Sequence, residues 1–160
     1  MKKYSDFTLS LALFDAIPVL LFSAAAIITG CNLNSTLFLI GAVICTLSGT
    51  MKVIWKITVA ATQKDLKPLN IQMRFLMPCG FLLIIIGLII DAPKINFKLI
   101  GANATSMPAI LFYFITITGM ILMSIFAFKL DSTKAKSNWT EQITNAVAQL
   151  ALLFGVIFTF

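Results

Sequence analysis

Five apolar stretches follow one another along the chain, at about 7–30, 36–62, 71–90, 108–128 and 139–160. Each is close to the length of a helix that crosses a hydrocarbon core of roughly 30 Å, which takes about 20 residues at 1.5 Å per residue. The period-two alternation of a membrane β-barrel is absent, and Leu, Ala and Met are mixed among the β-branched residues, so helices are expected rather than strands. Composition agrees: 59% of residues are apolar and 11% charged, with a mean hydropathy of +0.99, whereas a soluble domain carries about a quarter charged residues. The expected fold is an all-α integral membrane protein, residues 1–160 forming one compact bundle of five transmembrane helices.

Charge separates the connections. Lys2, Lys3, Lys52, Lys56, Lys64, Lys67, Arg74, Lys129, Lys134 and Lys136 fall on one side of such a bundle, and only Lys94 and Lys98 on the other. The positive-inside rule then puts the N-terminus in the cytoplasm and the C-terminus outside, with the plasma membrane as the expected host. An even number of spans would spoil this ten-to-two partition. The first outer loop, 31–35, is so short that the first two spans must form an antiparallel hairpin. The second, 91–107, is the longest connection and is expected in the interface or folded over the bundle mouth. No connection is long enough for a soluble domain, so any function resides in the helices.

Several function classes are excluded. The chain has no His, which removes imidazole-ligated haem, His-based zinc sites and Ser-His or Cys-His catalysis. It contains no GxxxxGK[ST] phosphate loop and no GxSxG nucleophile elbow. Nucleic acid is not expected as a partner, because topology accounts for the basic residues. No cofactor or metal is expected, since Cys31, Cys45 and Cys79 lack ligand spacing. Lys2, Lys3 and the run ending at Cys31 resemble a lipoprotein signal, but Asp15 and Pro18 interrupt its apolar region, so a true first helix is expected. The triplets Asn34-Ser35-Thr36 and Asn103-Ala104-Thr105 are glycosylation sequons on the expected outer side, and such triplets arise often by chance.

The informative residues are polar side chains placed where lipid should be. In the fifth span Asn138, Glu141, Gln142, Asn145 and Gln149 fall within an arc of about 100°. Asn138 and Glu141 also have capping-box spacing, which predicts a helix start there. The second span carries Gly41, Cys45, Gly49, Lys52, Lys56 and Gln63 on one face, the first three forming a small-xxx-small series that admits a close neighbour. The first span contributes Asp15, and Pro18 frees the carbonyl of Phe14; in the third, Pro78 frees the carbonyl of Arg74. Counted from the helix ends, Asp15, Lys52, Arg74 and Asn145 lie about 5–10 Å inside the core, with Lys56 and Glu141 at its rim and Gln149 deeper. The outer half is nearly all apolar apart from Tyr113, Thr116 and Thr118.

Each of these residues has a plain structural alternative. Lys52, Lys56 and Arg74 can snorkel to headgroup phosphates, Asp15 can pair with Lys52 or Arg74, and Asn145 and Gln149 can bond between helices. Together they make two acids facing three bases, leaving one positive charge over. The expected function is binding or transport of a small anionic solute or lipid headgroup in a cytoplasm-facing polar cavity built by spans one, two, three and five. The ligand-binding set is Asp15, Lys52, Lys56, Arg74, Glu141, Gln142, Asn145 and Gln149. Two alternatives stand beside it: an accessory subunit whose polar residues only fix packing, and a lipid-modifying enzyme using Asp15 with Glu141 as acid and base. The expected partners are the lipid bilayer, the anionic ligand and a second copy of the chain, with Gly41-Cys45-Gly49 and Ala151-Gly155 as close-packing faces.

Overall fold

The structure is a computed structural model that describes residues 8–130 and 134–160. Lys2, Lys3 and the expected start of the first span at position 7 lie outside the described residues. The rest folds into helices: α1 (Leu9–Phe14), α2 (Ala16–Asn32), α3 (Thr36–Thr62), α4 (Lys67–Ile71), α5 (Met73–Asp91), α6 (Phe97–Ala104), α7 (Ala109–Lys129) and α8 (Ala135–Thr159). Taken with their short extensions they make five spans long and apolar enough to cross a membrane, the mark of a multi-pass membrane protein.

Local chemistry sets the boundaries. Asp15 separates α1 from α2, three residues before Pro18, whose missing N–H and ring break the ladder at that turn. Ser35 caps α3, its hydroxyl accepting from the Phe38 N–H at 3.3 Å. Just before it, Asn34 takes a left-handed φ of 50°, a conformation Asn tolerates, and so turns the hairpin tightly. Pro68 in the first turn of α4 starts the third span at Lys67, earlier than its apolar run indicates. The expected capping box is corrected. α8 begins at Ala135, Asn138 stands inside the helix, and its side-chain amide donates to the Lys134 carbonyl at 3.1 Å. Spacing alone cannot distinguish a cap from an in-helix pair one turn further on.

The expectation of a compact bundle is also corrected. The long helices stand in a row in the order α5, α3, α2, α8, α7, and α5 and α7 at its two ends do not meet. Glycines explain the pairing. A Cβ on Gly80 would lie 2.5 Å from the Cys45 sulfur, and one on Gly41 would lie 2.6 Å from the Gly80 carbonyl, so α3 and α5 touch backbone to backbone. A Cβ on Gly119 would lie 2.6 Å from that of Ala148, which brings α7 against α8 in the same way. Gly155 packs on the Tyr113 ring and Gly49 on Val19. The small-residue faces that could have served a second copy are thus used within the chain. The two close pairs join only through the first span, which lies between α3 and α8. Burial follows this order: 17% and 11% of the most apolar windows of the end spans is buried, against 39% in each of the three between.

At the hairpin end, Asn103 of α6 donates to the Thr159 carbonyl at 3.0 Å, and the Tyr113 and Thr159 hydroxyls bond at 2.9 Å. The segment 91–107 therefore folds against the ends of α7 and α8. Thr116 likewise reaches the Ala148 carbonyl across the α7–α8 seam at 3.3 Å. These hydroxyls knit helices together.

Candidate functional site

Because the row of helices curves without closing, it leaves a cleft of about 410 Å³ along one side, to which all five spans contribute. Six of the eight residues expected to bind ligand line it: Asp15, Lys52, Lys56, Gln142, Asn145 and Gln149. Their shared position follows from antiparallel helices whose polar residues sit a similar number of turns from the same end. The remaining walls are Pro18, Val19, Phe22, Cys45, Gly49, Met73, Met77, Phe81 and Met120. The cavity is thus a mainly apolar cleft with polar groups set into it, a correction to the expected polar cavity. Met120 also brings in the fourth span, which the sequence reading left out.

Two residues of the expected set lie elsewhere. Arg74 is exposed and lines a neighbouring depression together with Lys52 and Asn70. Glu141 is half-buried and outside the cleft. The acid–base pairing of Asp15 with Glu141 therefore has only one of its members in the cleft.

The charges inside are arranged unequally. Lys56 Nζ meets Asp15 Oδ2 at 2.6 Å, with side chains 13% and 10% exposed. This corrects two expectations at once: Lys56 does not snorkel, and the partner of Asp15 is neither Lys52 nor Arg74. Lys56 lies on the same face as Lys52, about one turn nearer the helix end, where the kink at Asp15 presents the carboxylate. Lys52 makes no ion pair with a described residue. Its ammonium donates to the Asn70 side-chain carbonyl and stands 4.6 Å from the centroid of the Trp55 ring, two neutral contacts that orient a cation without cancelling its charge. Trp55 is held in turn by its N–H to Asp65 Oδ1 at 2.9 Å.

The amides of α8 supply the opposite wall. Gln149 donates to Asn145 Oδ1 at 3.3 Å and to the Met120 sulfur at 3.7 Å. The side-chain oxygens of Gln142 and Gln149 are buried with no hydrogen-bond partner among the described residues. An unpaired buried polar atom costs about 1–3 kcal/mol, so a group that satisfies them is favoured in the cleft. Among the described residues no cluster of His, Cys, Asp or Glu could hold a metal ion.

Sequence reasoning missed Asn70, Trp55 and the wall of α5. Signals for them exist: Asn70 precedes Arg74 by one turn, and Met73, Met77 and Phe81 repeat every four residues along one helix face. Comparison of the chain with profiles of known families, with curated proteins and with solved structures finds no match.

Proposed function

We propose that this protein lies in the plasma membrane with its N-terminus cytoplasmic and its C-terminus outside, and binds an anionic group, of a small solute or a lipid headgroup, in the cleft. The ten-to-two distribution of basic residues supports the orientation, which turns the Lys52–Lys56 end of the cleft toward the cytoplasm. One observation carries the binding reading. Lys56 is neutralised by Asp15, whereas Lys52 lines the same cleft with no carboxylate of a described residue in ion-pair reach. An intramembrane cation is costly, and a bound phosphate or carboxylate offsets that cost. Asn145 and Gln142 would orient the anion through their side-chain N–H groups from the facing wall, and Gln149, whose amide N–H groups point to Asn145 and Met120, would hold Asn145 in place.

A thermal-unfolding screen of the purified protein with phosphates and carboxylates tests this. A ligand that binds only the folded state stabilises it by RT ln(1 + [L]/Kd), so the midpoint rises with ligand concentration. At least one anion is expected to raise it, and Lys52→Met is expected to abolish that rise while keeping the ligand-free midpoint. An unchanged midpoint with every anion, or an undiminished response in Lys52→Met, would overturn the reading. The closed Asp15–Lys56 pair favours a second reading, a packing role in an accessory subunit, which expects that flat result.

A further inference from the structure

We infer that the anion recognised in the cleft belongs to a single-chain amphiphile that reaches it sideways from the bilayer, its headgroup at Lys52 and its chain along the Met and Phe wall. This rests on the reading of the cleft as an anion site and adds where the ligand comes from and what else it carries. Three observations converge on it.

The first is the gradient along the cleft. Lys56, Lys52, Gly49 and Cys45 descend one side from the basic end, and Met73, Met77 and Phe81 descend α5 beside them. At 1.5 Å per residue, the path from Lys56 to Cys45 drops roughly 16 Å. The charged groups stand at the top, and the Phe22 and Phe81 rings, 6.1 Å apart, close the bottom. A lipid of the inner leaflet has the same polarity profile, headgroup at the surface and chain toward the midplane. A water-soluble anion would use only the upper third.

The second is the open side. α5 and α7 end the row and do not meet, yet α5 supplies Met77 and Phe81 and α7 supplies Met120 to the cleft. The gap between those two helices is therefore the mouth, and helices this exposed and apolar face lipid, not water. The third is the lining. Three methionines line one cleft, and their unbranched, polarizable side chains adapt to a flexible chain better than branched ones do. A cleft of about 410 Å³ lies within the range for small-molecule sites and is narrow for two acyl chains. The buried Gln142 and Gln149 oxygens, lacking donors among the described residues, suit a headgroup that bears a hydroxyl.

The test uses the full chain in neutral phosphatidylcholine nanodiscs and three probes: glycerol phosphate, a monoacylglycerol phosphate, and the uncharged monoacylglycerol. Thermal midpoints are followed against probe concentration. The acylated phosphate is expected to act at a concentration at least about tenfold below glycerol phosphate, an advantage that burying two or three methylenes supplies. The uncharged probe is expected to have no effect. Met77→Trp or Met120→Trp, each filling the apolar part of the cleft, is expected to erase the advantage of the chain and to keep the glycerol phosphate response, which also shows that the variant is folded. Equal potency of the two phosphates would overturn the amphiphile and leave the anion site standing. An uncharged probe as potent as the acylated phosphate would overturn both. An advantage untouched in both tryptophan variants would place the chain outside the cleft and overturn the inference.

Discussion

A carboxylate held 2.6 Å from an ammonium among apolar side chains is hard to remove one half at a time. Taking away Lys56 leaves Asp15 charged and unpaired in the first span, a change that costs about 3–5 kcal/mol in buried pairs, whereas replacing both with apolar residues is often neutral. Lys56→Met is therefore expected to lower the unfolding midpoint strongly, and Asp15→Leu combined with Lys56→Met to regain most of it. Additive losses in the double variant would show that the pair contributes nothing as a pair. Lys52 is the contrasting residue: its contacts to Asn70 and Trp55 are neutral, so Lys52→Met leaves no opposite charge stranded. The depth of Asp15 was legible from its distance to the helix end. Its partner was not, because Lys52, Lys56 and Arg74 lie within about two turns of the same level, and helix rotation decides which one meets it.

At the scale of helices, backbone contact between α3 and α5 requires glycine at three positions, Gly41, Gly80 and Gly87. Gly80→Ala puts a methyl 2.5 Å from the Cys45 sulfur and 2.9 Å from the Gly41 carbonyl, and backbone cannot yield as a flexible side chain would. Overpacking of this kind costs about 1–3 kcal/mol, and Gly80→Ala is expected to destabilise the protein by that amount. Gly101, in α6, has nothing within 4 Å of the added methyl, so Gly101→Ala is expected to be neutral or to stabilise by up to about 1 kcal/mol through helix propensity. Equal midpoints for the two variants would contradict the contact. The small-xxx-small series in the second span made a close neighbour legible, although Gly49 turned out to face Val19 of the first span and not α5. Helix starts were less legible. Pro68 lengthens the third span across polar residues, and the pair Asn138 and Glu141 mimics a cap while standing inside α8.

For the whole molecule, the five spans could be read directly, because hydrocarbon thickness and helical rise set the length an apolar run must reach. Six polar residues were placed at one cleft for the same reason: depth along a helix is additive and needs no knowledge of neighbours. The order of helices in space was not legible, and with it went the curvature, the open side between α5 and α7 and the methionine wall. Those depend on which glycine faces meet, and several pairings satisfy the same small-residue stripes. An experimental density map of the protein in a native-lipid nanodisc tests whether an anionic amphiphile occupies the cleft. Ordered non-protein density is expected within hydrogen-bonding distance of Lys52 Nζ and of the Asn145 amide, with a chain running down toward Phe81. A map in which Lys52 turns away from the cleft, or side chains fill the space between Lys52 and Asn145, would contradict it.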